Sequence, residues 1–508
     1  MLELEGRSLA LEEVELVAAP EASPEVRLAD AGRENLRQGR RVIERVLESG
    51  EAVYGVNTGF GRLAEVVVPP EARRELQSNL IRSHSAGVGD PLPTEVVRAI
   101  MLLRANALAR GNSGCRPEVV DALLALLNHK LHPVVPSWGS VGASGDLAPL
   151  AHVALALTGE GEMEREGRVE PAEHALKGVG LSPLELRAKE GLALINGTQA
   201  TTALGILSLL RAERAVEVAE VAGATSLEGL MGTPQAFRAK VQEARPHPGQ
   251  VTSASRLRAL MEDSEIRESH RHGDPRVQDA YSLRCMPQVH GAAREALGYV
   301  RRILVTEANS ATDNPLVFPD DGSVVSAGNF HGQVVAQALD FLCMALADLA
   351  SISERRLERL LNPDLSGLPA FLSPEPGLRS GLMIAQVTVV DLLSEMRTLA
   401  HPASVDSVPT SAGQEDHVSM GLWAGRKVFR AVECLERVLG IELLAGVQAL
   451  EFRRPLEPAR RLRRVRSAVR ERVPAVEEDR VLAPDLEAMA RLVRHGGLHT
   501  VAAPDRGD

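Results

Sequence analysis

Ala143-Ser144-Gly145, within Gly139-Ser-Val-Gly-Ala-Ser-Gly-Asp-Leu-Ala-Pro-Leu-Ala-His152, has the residue types for a backbone cyclisation. The Gly145 amide nitrogen can attack the Ala143 carbonyl carbon. Loss of two waters, one carrying the Ser144 hydroxyl, then leaves a methylidene-imidazolone ring. That ring is an electrophile, a role none of the twenty side chains fills well. Gly145 lacks a Cβ, so its nitrogen can approach a carbonyl through a turn closed to other residues. Ala143 is small enough for the turn to tighten, and Ser144 provides the leaving hydroxyl. Taken alone, Ala-Ser-Gly reads more simply as a helix entry capped by Ser or Asp. A phosphate-cradling P-loop is excluded, because no Gly-Lys-Ser/Thr is present. The rest of the chain decides between ring and helix start.

Other segments are too rich in Gly, Asn and polar residues to be core. They are Tyr54-Gly-Val-Asn-Thr-Gly-Phe-Gly61, Ser83-His84-Ser-Ala-Gly-Val-Gly89, Asn196-Gly-Thr-Gln199 and Val277-Gln278-Asp-Ala-Tyr281-Ser-Leu-Arg284. Asn309-Ser-Ala-Thr-Asp-Asn-Pro315, Gly328-Asn-Phe330-His331 and Gln414-Glu415-Asp416-His417 complete the set. Loops of this kind carry function when a rigid scaffold positions them. Aromatics make up only 3% of the chain, and two of its three tyrosines, Tyr54 and Tyr281, sit in these segments. Both are candidates for chemistry rather than packing. His84, His152, His290, His331 and His417 raise the question of zinc. No His-Glu-x-x-His and no helical pair of histidines beside an acid is present, so no metal is expected. His152 reads as a helix residue bonded to a neighbour.

The elements that must hold these loops are helical. Apolar residues recur with helical period in 26–49, 93–110, 116–130, 200–222, 333–361, 420–450 and 484–494. The pattern predicts an all-α fold, a central bundle of long helices with a smaller mixed N-terminal portion. Short strands or loops are expected in the first twenty residues and in 160–190, and a solvated amphipathic helix in 453–472. With no clean linker, residues 1–200 and 201–508 read as portions of one catalytic unit. Helices this long and apolar need covering by neighbouring helices or other subunits. The 508 residues carry a net charge of -11, which argues against a nucleic-acid or anionic-membrane surface. The start, Met-Leu-Glu-Leu-Glu, has no leader-like pattern, and no uninterrupted apolar run approaches a membrane span. Cys115, Cys285, Cys343 and Cys434 form no C-x-x-C pair. A reducing cytoplasm is the expected location.

Taken together, these motifs resemble the methylidene-imidazolone-dependent aromatic amino-acid ammonia-lyases. The likeness runs from about Tyr54 to about Arg430, and the segment around Ala143-Ser144-Gly145 is highly specific to that group. Ser83-His84 and Glu415-Asp416 are similar to the branch acting on histidine. The phenylalanine and tyrosine branches tend to have Phe-Leu or His-Leu at the first pair and Gln-Asp at the second. The resemblance implies elimination of ammonia from L-histidine to trans-urocanate, the first step of histidine breakdown, by a homotetramer whose sites draw on three subunits. The prosthetic ring would form from Ala143-Ser144-Gly145, with no dissociable cofactor. Tyr54 would be the base for the β-proton, with Tyr281 assisting. Arg284 would grip the substrate carboxylate, and Asn196 would help hold it and the ring oxygen. His84 and Glu415 would read the imidazole, and Gln278 and Phe330 would line the pocket.

The chain departs from the family pattern at Ala280, Met286 and His290, where Pro, Gln and Met are expected. These bear on rate and fine specificity. The competing readings are a tyrosine or phenylalanine ammonia-lyase, an aminomutase, a silent helical scaffold whose tripeptide never cyclises, and a fumarase-like lyase without the ring.

Overall fold

The computed structural model describes residues 1–59 and 66–500. Phe60 and Gly61, at the end of the Tyr54 segment, lie outside them. The chain is mainly helical, with short strands only, in agreement with the all-α expectation. It divides into two compact units. One comprises residues 1–207, 301–340 and 402–426; the other comprises 208–300, 341–401 and the described residues from 427 on.

In the first unit, helix Thr94–Ala109 is buried from Val96 to its end, so its apolar residues need no stripe. Helix Leu11–Ala18 presents Leu11, Val14, Val17 and Ala18, a single apolar face, and packs against it. Helix Pro117–Asn128, opened by proline at its first position, packs there too. A parallel pair, Leu2–Leu4 with Val26–Leu28, sits beside these helices. An antiparallel hairpin, Glu162–Arg165 with Arg168–Pro171, adds His132–Pro133 at its edge.

This core contains charge. The Arg104 guanidinium, 1% exposed, donates to the carbonyls of Ala193 and Thr312 and to Gln199 Oε1. Lys189 Nζ and Asp313 pair at 2.9 Å with both side chains fully buried.

In the second unit, Glu442 is the centre of a buried polar cluster. Its carboxylate accepts from Ser226 Oγ (2.8 Å), Ser353 Oγ (2.5 Å) and Arg356 Nε (2.6 Å) and Nη2 (2.9 Å). Arg356 Nη1 reaches His290 Nε2 at 3.4 Å and the Ser282 carbonyl at 3.5 Å. His290, one of the departures from the family pattern, is thus part of the packing beneath the Tyr281–Arg284 turn. Met286 is fully buried and lies against Gly223.

The long helices follow the expected spans closely: Gln199–Gly229, Gln333–Leu361 and Gly421–Glu451. The basic stretch at 453–472 is helical only over Arg460–Arg470. Within the first twenty residues, Leu11–Ala18 is a helix rather than strand or loop, because its apolar face has a partner in Thr94–Ala109. Helices Arg73–His84, Pro248–Leu260, Met286–Ala308 and Met383–Leu399 were not expected from periodicity. Arg73–His84 and Pro248–Leu260 are mostly polar. Met383–Leu399 exposes Ile384, Val387 and Val390, which blurs its apolar stripe. Two stretches, Glu190–Gly229 and Gln333–Leu361, have the length and composition to cross a membrane. Their apolar windows are wholly and two-thirds buried within the protein, as in core helices. None of the four cysteines is in a disulfide, and Cys115, Cys343 and Cys434 are buried.

Two outcomes follow for stability. Asp313→Ala strands the Lys189 ammonium in the core and should cost about 3–5 kcal/mol, read as a lowered Tm. An unchanged Tm would show that the pair is dispensable. Burial, reinforced by Arg356 and Arg294, holds the His290 imidazole well below its ordinary pKa of 6.5. The unfolded chain therefore binds a proton below pH 6.5 that the native chain refuses, and this component of stability is lost as pH falls through 6.5. The Tm difference between His290→Met and the unaltered chain should shift in favour of the variant between about pH 7.5 and 5. A pH-independent difference would contradict this.

Candidate active site

The tripeptide loop is built from glycine geometry. Gly142 and Gly145 have φ of +69° and +75°, in the left-handed region that L side chains avoid. A Cβ on Gly145 would also collide with the carbonyl of Gly197. That carbonyl accepts the Asp146 N–H at 2.7 Å, and helix Leu147–Leu157 starts at the next residue. The Asp146 carboxyl takes the Thr201 N–H (2.7 Å), the Thr201 hydroxyl (3.0 Å) and the Ser140 hydroxyl (3.2 Å). Burial pushes its pKa up to about 6, against the pull of those hydrogen bonds. On the other side, the Met420 N–H donates to the Val141 carbonyl at 2.9 Å.

Within this frame Ser144 makes two polar contacts. Asn196 Nδ2 donates to its carbonyl oxygen at 2.8 Å, and its hydroxyl donates to Glu415 Oε1 at 2.7 Å. Asn196 is placed by the same loop that Arg104 holds from beneath at Ala193 and Gln199. Gly197 has to be glycine here, since a Cβ would meet Gln199 Oε1 and Arg104 Nη1. Asn196 Oδ1 is buried with no hydrogen-bond partner among the described residues. Glu415 Oε2 accepts from the Thr410 hydroxyl at 2.7 Å, and the backbones of Thr410 and Glu415 bridge across a tight turn.

These residues line one cavity of about 360 Å³, a volume suited to a small molecule. Tyr54, His84, Ser144, Asn196, Phe330 and Glu415 all border it. Six residues placed far apart by sequence are therefore brought together. The Tyr54 segment is braced by Asn57, whose Oδ1 accepts the Val53 N–H and whose Nδ2 donates to the Glu51 carbonyl, both at 2.8 Å.

His84 ends helix Arg73–His84. Its Nδ1 lies 2.9 Å from the Leu80 carbonyl, an oxygen that can only accept, and 3.0 Å from the Ser83 hydroxyl; the Leu80 contact favours the proton on Nδ1, with Nε2 the acceptor of the neutral ring. Burial holds the ring below its ordinary pKa of 6.5, more strongly than Leu80 and Glu415 raise it. The cavity thus presents a neutral imidazole acceptor and a carboxylate.

Gln278, Tyr281 and Arg284 belong to the second unit and are not among the residues lining the cavity. Gln278 and Tyr281 are exposed. The Arg284 guanidinium stacks over the Tyr281 ring, 4.5 Å from its centroid, and its Nε is buried without a partner among the described residues. His152 accepts the Gly87 N–H at 3.2 Å, the neighbour bond expected of it. Asn314, Ser326, Ser411 and Gln414 also line the cavity. Asn314 and Gln414 fell within polar segments already singled out, whereas Ser326 and Ser411 have no signal in sequence beyond a polar side chain.

The chain is similar to known proteins over nearly its whole length. The sequence profile described as aromatic amino acid lyase matches residues 9–471. A histidine ammonia-lyase of Anaeromyxobacter sp. (strain K) is 55% identical over 503 residues, covering 97% of this chain and 99% of the relative. One of Gloeobacter violaceus is 53% identical over 498 residues, covering 98% and 96%. Among solved structures, the histidine ammonia-lyase of Trypanosoma cruzi superposes with a TM-score of 0.92 at 43% identity, covering 99% of this chain and 95% of that one. The tyrosine aminomutase of Streptomyces globisporus reaches 0.93 at 38% identity, covering 99% and 98%. The chain belongs to the aromatic amino acid lyase family.

Proposed function

We propose that the protein eliminates ammonia from L-histidine to give trans-urocanate, using a methylidene-imidazolone formed from Ala143-Ser144-Gly145. The observation that carries this reading is the pairing of His84 Nε2 and Glu415 at one cavity beside Ser144. Two hydrogen-bond acceptors suit a ring bearing N–H groups, and a phenyl ring has no donor to offer them. The residues fit the prosthetic group. Asn196 already donates to the oxygen that the ring would retain, and Gly145 holds the left-handed turn that closure requires. When formed, the ring supplies an electrophile for the substrate's amino group, which makes the amine a better leaving group.

The chain's own groups account for the remaining tasks. His84 and Glu415 orient the imidazole. Asn196 Oδ1 is a ready acceptor for the substrate ammonium. Tyr54 takes the β-proton, for which the site must lower a phenol pKa from about 10. Phe330 covers the apolar side of the ring. Arg284 binds the carboxylate through its planar fork, with Tyr281 assisting proton transfer and Gln278 lining the pocket. These last three reach the cavity in an assembly, supplied by neighbouring copies, as the family resemblance implies. Exposed apolar residues along two helices support assembly: Val334, Phe341 and Met344 on one, Ile384, Val387 and Val390 on the other. A homotetramer in the reducing cytoplasm is the assembly proposed. An aminomutase is the second reading, favoured by the likeness to tyrosine aminomutase.

Purified protein with L-histidine should yield a conjugated, ultraviolet-absorbing product, absent with Ser144→Ala. A β-amino acid instead would establish the aminomutase, and turnover of tyrosine alone would refute the roles of His84 and Glu415. His84→Leu should lower kcat/KM for histidine by about 10–100-fold, the worth of one buried hydrogen bond. Light scattering should return about four times the chain mass of 54.5 kDa. An active monomer would rule out shared sites.

A further inference from the structure

Two features converge on Ser144 before any substrate is present. Its hydroxyl rests on Glu415 Oε1 at 2.7 Å, and its carbonyl, which flanks the Cα–H, receives the Asn196 Nδ2 donor at 2.8 Å. A donor at that oxygen stabilises negative charge developing there when the Cα proton leaves. A carboxylate beside the hydroxyl can move a proton to it. This is the equipment for dehydrating a β-hydroxy carbonyl compound, which is what Ser144 is.

Glu415 is also held unusually firmly for a surface-loop carboxylate. The Thr410 hydroxyl fixes its second oxygen at 2.7 Å. The Thr410 N–H donates to the Glu415 carbonyl at 2.9 Å. The turn between them carries Ser411 and Ala412 at φ of +52° and +54° and Gly413 at +83°. Non-glycine residues in that region cost free energy and persist where the surroundings over-determine them.

We infer that Glu415 is the proton shuttle that dehydrates Ser144 and so helps to make the site's electrophile, a role earlier than and separate from holding the imidazole. The inference rests on the reading that the tripeptide cyclises. In closure, the Gly145 nitrogen bonds to the Ala143 carbonyl carbon. The former carbonyl oxygen leaves as water with the protons of Gly145 N and Ser144 N, and a C=N bond remains. In the second step the Glu415 carboxylate takes the Ser144 Cα proton. The C–H electron pair becomes the Cα=Cβ bond, the Cβ–Oγ bond breaks, and Oγ departs with its electrons. Glu415 returns the proton to Oγ, so water leaves and the carboxylate is regenerated. No oxidant or outside reactant is needed.

Intact mass separates the two steps. The unaltered chain, Glu415→Gln and Glu415→Asp would be purified, matched for folding by circular dichroism and melting, and weighed over time. The unaltered chain should be two waters lighter than its sequence. Glu415→Gln, which keeps the size and one acceptor oxygen but cannot take a proton, should accumulate one water lighter. Its second loss should be slowed by about 10²–10⁴-fold. Glu415→Asp should recover the second loss in part. Glu415→Gln two waters lighter at the normal rate would overturn the inference while leaving cyclisation intact. Glu415→Gln at full mass would also overturn it, placing Glu415 before ring closure. An unaltered chain at full mass would instead overturn the cyclisation reading itself.

Discussion

The buried guanidinium of Arg104 is the constraint on which the cavity depends. Among the described residues it has no ion-pair partner, and it is satisfied by the carbonyls of Ala193 and Thr312 and the amide of Gln199. Burial lowers its pKa, partly offset by Asp313. Ala193 lies in helix Glu190–Ile195, Gln199 opens helix Gln199–Gly229, and Thr312 lies in a loop. Fixing Ala193 and Gln199 fixes Asn196 and Gly197 between them. Gly197 then sets Gly145 and Asp146, and Asn196 sets Ser144. A desolvated cation with several donors in a planar fork can tie irregular backbone in a way apolar packing cannot. The core of the unit and the geometry of its cavity are therefore one structure.

Much of this was legible in the chain. The spans Gln333–Leu361 and Gly421–Glu451 stood out because a long helix buried along one side must repeat its apolar residues. Arg73–His84 was not legible: with few apolar residues, it is helical through tertiary context, yet it delivers His84. Met383–Leu399 was missed for the opposite reason, because its apolar residues do not confine themselves to one face. Short-range rules also misjudged Leu11–Ala18, whose reason to be helical lies about ninety residues away in Thr94–Ala109.

At the cavity, residue type told more than spacing did. The segments holding Tyr54, His84, Ser144, Asn196, Phe330 and Glu415 stood out because polar and aromatic groups in such loops have few packing roles, and family likeness picked out the residues within them. What the chain could not reveal was pairing. Nothing in the sequence joins Thr410 to Glu415, or Arg104 to Gln199, because side-chain hydrogen bonds leave no periodic trace. The assignments of Gln278, Tyr281 and Arg284 came from family likeness, and that likeness is what makes assembly part of the proposed function.

The Leu80 carbonyl, by favouring one tautomer of His84, has a consequence for proton accounting. A neutral imidazole offers one N–H, whereas His84 Nε2 and the Glu415 carboxylate are both acceptors. A neutral ring can donate to only one of them, and Glu415 otherwise keeps the Thr410 hydroxyl. An imidazolium ring fills both. A cavity built this way favours the charged form of its ligand over the form that predominates in solution near neutrality. Binding would then draw a proton from the solvent, so that affinity, and not only the chemical step, is linked to pH. The heat of association would depend on which buffer releases that proton. One backbone oxygen at the end of a short polar helix thereby sets the protonation state in which the ligand is held.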